Sequence, residues 1–401
     1  MSLTKTHKAL FALLKAGLCP DGSEQVGVGL SGSEWCELFD LSECEGVSAI
    51  CVDGFNVVRP QMPADGALEY RKLQWFGGVM QQEQQFAHMW EVAKKLDALW
   101  SAEDIHAVVL KGRSVAQYYP KPEHRYSCDI DVWIGEDWER ACAILEREGI
   151  ELCHEVYKEV EFTVDGVYVE CHRYITPVRG NKNLLRFEKY LRSLLEAEGV
   201  GSLELRGESL ELRGESLELR GERVFEGTNL VNPPLMFTVM LYIEHALGDL
   251  LQGKLTLKHV VDWCVLRREF RGESFFQSNG VLCESVASAE RELRVFESRC
   301  KEFGFEKCLR LVDAMADVVE GKVEYDALPS AYRKVMDEIM NPVVPDAGKQ
   351  KKPKTWFERR VDVFFSIVKN GRKYKEFGYD SMPRHLFNSM WTHFFRKEVR
   401  F

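Results

Sequence analysis

An Asp-Ile-Asp step on a short apolar run constrains this chain more than any other feature. Asp129 and Asp131 stand in the segment Cys-Asp-Ile-Asp-Val-Trp-Ile, which is typical of a β-strand. Residues i and i+2 of a strand point to the same face of a sheet, so the two carboxylates can bind one hard cation together. The sequence therefore predicts a sheet with an acidic face.

Two further segments flank this step in an order typical of metal-dependent nucleotidyl transfer. Upstream, Val-Val-Leu-Lys-Gly-Arg-Ser at 108–114 carries an apolar run into a glycine turn. Downstream, Gly-Val-Tyr-Val-Glu-Cys-His at 166–172 predicts another strand, which carries Glu170. Three carboxylates on neighbouring strands would form a site for divalent cations beneath a polyphosphate.

These segments together resemble a known family. Lys-Gly-Arg-Ser at 111–114, Arg125 followed by Ser-Cys-Asp-Ile-Asp at 127–131, and Val-Glu-Cys-His at 169–172 resemble the uncharacterised nucleotidyltransferase family of the DNA polymerase β-like superfamily. The resemblance spans residues 68–270. Its motifs are short, so their order and spacing carry the resemblance.

The chain departs from the wider superfamily pattern in two places. Gly and Ser are usually adjacent there, whereas Arg113 stands between Gly112 and Ser114 here. The third acidic residue is Glu170 rather than the more common Asp. Both departures are compatible with the family.

The resemblance implies two-metal catalysis, with an NTP as substrate and Mg²⁺ as cofactor, or Mn²⁺ as the alternative ion. Asp129, Asp131 and Glu170 would be both catalytic residues and metal ligands. Glu170 would also assist deprotonation of the acceptor hydroxyl.

A second group of residues is predicted to bind the nucleotide. Gly112 permits close approach of the backbone to a triphosphate, and the N–H groups that open a helix at Arg113 and Ser114 would bind its oxygens. Lys111 and Arg125 would add positive charge. The family pattern implies the role of Arg125, and the role of Lys111 is inferred from its neighbours.

Two histidines are candidates for contact with the acceptor or for support of the metal ligands. His172 shares a strand face with Glu170 and would bind metal or substrate, or make a structural hydrogen bond. His245 lies on a predicted helix, as do Asp262 and Trp263. These helical residues would line an acceptor cleft or anchor one helix to another, and the sequence leaves both alternatives open.

Hydrophobic periodicity predicts helices on both sides of a small α/β region. The Asp-Gly pair at 165–166 predicts a tight hairpin. The expected strands cover 106–110, the Asp-Ile-Asp segment, 150–162 and 167–172, and the expected helices cover 4–16, 67–100 with a break at Gly77-Gly78, 113–118, 137–148, 235–251, 256–268, 287–320, 330–340 and 355–369.

The expected fold class is α+β, with a small mixed β-sheet nucleotidyltransferase core, flanking helices and an α-helical C-terminal domain. Residues 202–222 are three copies of Ser-Leu-Glu-Leu-Arg-Gly-Glu, and each copy contains a Gly that costs about 1 kcal/mol in a helix interior, so a loop is expected rather than a coiled coil. The expected division is an N-terminal helical unit at 1–66, the core with its lead-in helices at 67–200, a repeat insertion at 201–224, and a helical domain with a basic tail at 225–401.

Composition argues for an ordinary globular protein. No apolar run approaches the about 20 residues that a membrane helix needs, and the first residues lack the features of a secretory signal, so a cytoplasmic protein without membrane contact is expected.

The 12 cysteines include no Cys-x-x-Cys pair. The loose cluster Cys36, Cys44 and Cys51 is better explained by free thiols than by zinc.

Charge is distributed unevenly along the chain. Residues 349–401 contain 14 Lys/Arg and 5 Asp/Glu, whereas the whole chain carries a net charge of −10. This basic tail would bind RNA or a nucleotide, or would dock on the acidic remainder of its own chain. The second alternative is preferred, so nucleic acid is not the favoured partner.

The leading hypothesis is transfer of an NMP group from an NTP to a hydroxyl of an unknown acceptor, with release of pyrophosphate. The acceptor would be a small molecule, a sugar, a peptide or RNA. The alternative is a nucleotide-binding regulatory or toxin-like protein with the same fold and little turnover. A phosphatase or sugar-nucleotide transferase is less compatible, because His-Arg-Tyr-Ser-Cys before Asp129 is polar and the N-terminal third is predicted to be helical.

Overall fold

The computed structural model describes residues 3–19, 29–155, 157–178, 181–197, 225–272, 286–342, 365 and 368–378. The repeats at 202–222, most of the helix expected over 355–369 and most of the basic tail lie outside these residues. Among the helices in these ranges, none has the length and apolar character needed to cross a membrane.

A five-stranded mixed sheet carries the acidic segments, so the expected small mixed sheet is confirmed. Its strands lie in the order β1-β2-β5-β4-β3, and only the β2–β5 pair is parallel. The strands are β1 (Val108–Val109), β2 (Asp129–Trp133), β3 (Leu152–Glu155), β4 (Glu159–Val164) and β5 (Val167–His172).

The hairpin between β4 and β5 follows from its two turn residues. Asp165 and Gly166 both have positive φ angles, 50° and 80°, and Asp-Gly tolerates this left-handed conformation better than most pairs. The tight turn pairs Val164 with Val167 and thereby sets the register of the whole hairpin. The hairpin predicted from the sequence is confirmed.

The two faces of the sheet differ in polarity because the side chains alternate along each strand. One face packs in a buried apolar cluster with helices α4 (Gly66–Ser101) and α6 (Trp138–Arg147). Its central strands contribute Ile130, Val132, Val160, Phe162, Val169 and Cys171. The opposite face carries the polar residues of the same strands.

Helices dominate the rest of the described chain. Before the sheet they are α1 (Lys5–Leu18), α2 (Gly32–Cys44), α3 (Ser48–Val58) and α4. Those that follow β1 are α5 (Arg113–Ala116), α6, α7 (Lys182–Ala197), α8 (Leu235–Gln252), α9 (Leu257–Phe270), α10 (Val286–Phe303), α11 (Glu306–Val319), α12 (Ser330–Met340) and α13 (Gly371–Phe377).

One predicted helix break is wrong. Helix α4 runs without a break through Gly77 and Gly78, because Trp75 and Val79 beside them are buried and hold the helix against its neighbours. The helical region predicted over 287–320 forms two helices, α10 and α11. Gly304, at a φ of 79°, supplies the left-handed residue that ends α10.

The N-terminal helices and the helices after residue 235 share one apolar core. Leu10 of α1, Trp35 of α2 and Phe237 of α8 are fully buried in the same cluster. Helices α1 and α3 pack closely, because a Cβ atom at Gly54 would overlap the carbonyl group of Leu13. The division of the chain at residues 66, 200 and 224 stays a prediction.

Candidate functional site

The polar face of the sheet brings the three predicted acidic residues together. Asp129 and Asp131 lie on this face of β2, two residues apart. The parallel pairing with β5 places Glu170 directly opposite Asp131 and Tyr168 opposite Asp129. Donor atoms of Asp131, Glu170 and His172 lie within 4.8 Å of one another. The face therefore presents carboxylates from two neighbouring strands.

Asp131 is the most tightly held of these acids. Its Oδ1 atom lies 2.8 Å from Nζ of Lys111 and 3.0 Å from Nε2 of His172. Burial acts to raise the pKa of Asp131, but the charge of Lys111 and the hydrogen bond from His172 outweigh it and keep the pKa well below its usual range. The Asp131 carboxylate therefore stays ionised.

Asp129 lies in a different environment. Burial and the charge of Asp131 raise the pKa of Asp129 to about 6. A divalent cation between the two carboxylates would relieve this repulsion, and hard carboxylate oxygens are the ligands that Mg²⁺ prefers. The donor set therefore fits the ion that the sequence resemblance implies.

His172 is buried beneath the acids. Its Nε2 atom lies 3.0 Å from Oδ1 of Asp131 and 3.4 Å from Oε2 of Glu170, and its Nδ1 atom lies 3.1 Å from Oε2 of Glu159. Because the residue has no exposed surface, direct contact with an acceptor does not fit this position. Support of Asp131 and Glu170 fits it well.

The glycine turn before α5 also lies at this edge of the sheet. Gly112 has a φ of 66°, a conformation that a side chain would strain. Ser114 is completely buried, and its hydroxyl donates a hydrogen bond to the carbonyl oxygen of Leu110 at 3.1 Å. The hydroxyl group of Ser114 is thus bonded to the backbone, and the binding of a nucleotide by the N–H groups of Arg113 and Ser114 stays a prediction.

Arg125 has a partner within the protein. Its Nε and Nη2 atoms donate to the two carboxylate oxygens of Asp262 on α9, at 2.8 and 3.0 Å, and both side chains are buried. Tyr119 also donates to Asp262, at 2.6 Å. The binding of a triphosphate by Arg125 stays a prediction. Arg125 anchors α9 to the segment that leads into β2.

Arg113 places a positively charged side chain at this edge of the sheet. The sequence motifs predicted a role only for its backbone N–H group. Its guanidinium group stacks on Trp90 at 3.9 Å and lies 5.1 Å from the ring centre of Phe86, both on α4. These residues line a cleft that also includes Lys111 and Asp129. Within the described ranges, no carboxylate forms an ion pair with Arg113, and burial lowers its pKa.

Sequence signals for this cation were present but indirect. Arg113 interrupts the usual Gly-Ser pair, and Phe86 and Trp90 are four residues apart, which places them on one helix face. A second unassigned cation, Lys258, lies 3.2 Å from Asp262 and contributes positive charge near Asp129. The sequence signal for Lys258 is its position four residues before Asp262, on the same helix face.

His245 lies on α8, close enough to Lys111 for the lysine charge to affect its pKa. Burial and that charge lower the pKa of His245 to about 4. Its Nδ1 atom lies 3.2 Å from Oδ2 of Asp249, one helical turn further on. The residue therefore combines a polar helix contact with a position near the acidic face, and the predicted role at the acceptor stays a prediction.

Comparison with known proteins identifies a family. The family model described as uncharacterised nucleotidyltransferase matches residues 31–280, more than half of the chain. It begins earlier than the resemblance over 68–270 and includes α2 and α3. No curated protein and no solved structure matches the chain. The chain belongs to the uncharacterised nucleotidyltransferase family, whose general chemistry is the transfer of nucleotide groups.

Proposed function

We propose that the protein moves an NMP group from an NTP to a hydroxyl of an acceptor and releases pyrophosphate. The observation that carries this proposal is the parallel pairing that sets Glu170 opposite Asp131, with Asp129 two residues earlier on the same face. In the reaction a bond forms between the acceptor oxygen and the α-phosphorus, and the bond from that phosphorus to the bridging oxygen breaks. Pyrophosphate leaves with that oxygen.

Asp129, Asp131 and Glu170 would hold Mg²⁺, with Mn²⁺ as a substitute. When bound, such ions neutralise phosphate charge and stabilise the attacking and leaving oxygens. A carboxylate oxygen of Glu170 would take the proton of the acceptor hydroxyl, since Glu170 is only partly buried. His172 would keep Asp131 and Glu170 in place through its contacts with both.

Two cations of the cleft would bind the triphosphate. Arg113 offers a guanidinium group that is stacked on Trp90 and therefore already oriented. Lys111 offers an ammonium group on the same turn, next to Asp131. Loss of water from a narrow cleft strengthens both attractions. Arg125 is paired with Asp262, which Lys258 also contacts, and its predicted contact with the nucleotide stays a prediction.

A direct test uses purified protein, Mg²⁺, NTPs labelled at the α-phosphate and fractions of a cell extract. Label transfer together with pyrophosphate release is expected for the wild type, and about a 10³-fold lower rate for Asp131→Asn. Asp165→Asn is the matched control, because Asp165 is exposed in the hairpin turn and Asn accepts its positive φ. Transfer that survives Asp131→Asn would exclude the proposed site.

A second candidate function is nucleotide binding with little turnover, in a regulatory or toxin-like protein. One observation favours it: Oδ1 of Asp131 already accepts from both Lys111 and His172, which leaves one oxygen of this acid for an ion. Saturable NTP binding without pyrophosphate release, under conditions in which Mg²⁺ or Mn²⁺ is present, would identify this function. Small molecules, sugars, peptides and RNA ends all stay open as acceptors.

A further inference from the structure

Two histidines and an aspartate converge between α8 and α9. His245 and Asp249 are four residues apart on α8 and so share one helix face. His259 reaches the same place from the first turn of α9. Nδ1 of His245 and Nε2 of His259 lie 3.2 and 3.0 Å from the same carboxylate oxygen, Oδ2 of Asp249.

Two separations among these three atoms are close to those of neighbouring ligands around a tetrahedral metal ion. Zinc–nitrogen and zinc–oxygen bonds of about 2.0–2.1 Å place neighbouring ligand atoms about 3.3 Å apart. The two observed separations are within a few tenths of an ångström of this value, and all three donor atoms lie within 4.8 Å of one another. Small side-chain rotations would therefore suffice to coordinate an ion.

We propose that His245, Asp249 and His259 bind a divalent transition-metal ion of the Zn²⁺ class. Two imidazole nitrogens and one carboxylate oxygen form a ligand set that favours Zn²⁺, Co²⁺ or Ni²⁺ over Mg²⁺. The side chain of His245 is 40% exposed, so an ion can enter from solvent and keep a water molecule as its fourth ligand.

Thr256 supports the ring of His259. Its hydroxyl oxygen lies 2.9 Å and its backbone nitrogen 3.1 Å from Nδ1 of His259. In the metal-free protein the backbone N–H donates to Nδ1, and the proton of the ring on Nε2 points to Asp249. With an ion on Nε2, the ring proton would lie on Nδ1 and be donated to the hydroxyl oxygen of Thr256, and the hydrogen bond from the backbone N–H of Thr256 would be lost.

The competing explanation is a hydrogen-bonded cluster that ties α8 to α9 without any ion. Titration of chelator-treated full-length protein with Co²⁺ in excess Mg²⁺ separates the two. We expect one equivalent of Co²⁺ to give the visible absorption of a tetrahedral site and Zn²⁺ to displace it. Thiolate ligation would add a strong charge-transfer band in the near ultraviolet, which identifies binding at cysteines instead.

Variants locate the site. His245→Ala and Asp249→Asn should each weaken Co²⁺ binding at least ~10-fold, in line with the loss of one ligand. His245 is partly exposed and caps no helix, so its loss leaves the fold intact, which circular dichroism would verify. Asp129→Asn/Asp131→Asn should keep the Co²⁺ spectrum, because this site shares no ligand with the acidic face.

Absence of a tetrahedral Co²⁺ spectrum in the wild type, or unchanged affinity in folded His245→Ala, would overturn the proposal. The titration involves no nucleotide. Its outcome is therefore independent of whether the acidic face transfers an NMP group. Loss of the spectrum in Asp129→Asn/Asp131→Asn alone would assign the bound ion to the acidic face and would also reject the second site.

Discussion

Nζ of Lys111 lies 2.8 Å from Oδ1 of Asp131, so a side-chain cation contacts the most buried carboxylate of the acidic face. Burial opposes the charge of Lys111, but the attraction of Asp131 outweighs it and raises the pKa of Lys111. The ion pair therefore compensates part of the negative charge that β2 and β5 bring together. It connects the glycine turn to the centre of the sheet.

Replacement of Lys111 by Met should lower the free energy of unfolding by about 1–3 kcal/mol in the absence of divalent ions. Among the described residues, Asp131 then keeps the hydrogen bond from His172 beside the carboxylate of Glu170. Urea denaturation measures the loss, and added Mg²⁺ should recover part of it. Lys95→Met is the control, because Lys95 pairs with Asp165 at the surface and should change stability by less than about 1 kcal/mol. Equal losses in both variants would contradict the compensation by Lys111.

Asp262→Asn should destabilise the protein strongly. The guanidinium group of Arg125 is buried and donates two hydrogen bonds to this carboxylate, so the substitution leaves a buried charge without its counterion. A loss of about 3–5 kcal/mol is expected in guanidinium chloride denaturation. The triple variant Arg125→Met/Lys258→Met/Asp262→Leu, which removes both cations together with the carboxylate that they share, should lose less than Asp262→Asn. A larger loss in the triple variant would contradict the explanation by an unpaired buried charge.

Glu45 should make stability depend on pH. The residue is buried, and burial raises its pKa to about 7, although one of its oxygens accepts a hydrogen bond from the backbone N–H of Leu257 at 2.6 Å. A folded-state pKa above the unfolded value means that its contribution is present at low pH and is lost as the pH rises from about 4.5 through 7.

Glu45→Gln keeps an acceptor for Leu257 but removes the ionisation. The variant should therefore be more stable than the wild type at pH 8 by about 1–3 kcal/mol, with little difference at pH 4.5. Thermal denaturation across this range measures it. Glu146→Gln, at an exposed position on α6, controls for the loss of a carboxylate in general. An advantage of Glu45→Gln that grows toward low pH would have the wrong sign.

Arg113→Leu should weaken NTP binding if the acidic face is a nucleotidyl transfer site. Leu keeps apolar contact with Trp90 but removes the cation, and loss of one charge-assisted phosphate contact should raise the dissociation constant about 10-fold. Arg113→Lys should be intermediate, because an ammonium group does not stack like a guanidinium group. Calorimetry measures binding directly, with Arg147→Leu on the exposed end of α6 as control. Equal affinity for wild type and Arg113→Leu would remove Arg113 from the nucleotide site.

The acidic face was predictable because its determinants are local. Alternation along β2 places Asp129 and Asp131 together, and the Asp165-Gly166 turn sets the register that follows through β4 and β5. Sequence spacing alone was enough to place Glu170 on a strand of the same small sheet. The short motifs also identified the family correctly, although the family match extends further toward the N-terminus.

Long-range partners were not predictable in the same way. Arg125 has the spacing of a nucleotide ligand, yet its partner Asp262 lies 137 residues further along the chain. The uninterrupted α4 depends likewise on the burial of Trp75 and Val79 by other helices. Neither of these contacts produces a periodic pattern in the sequence around Arg125 or along α4.

The amino-acid sequence by itself determined the strand alternation, the hairpin turn and the family, because each depends on residues a few positions apart. Only the tertiary structure decided the surroundings of the cations near the acidic face: Arg113 lies on an aromatic pair, whereas Arg125 is paired with an aspartate from a distant part of the chain. The physical reason is that the cost of burying a charge depends on what surrounds it in space, and those surroundings come from separate parts of the chain.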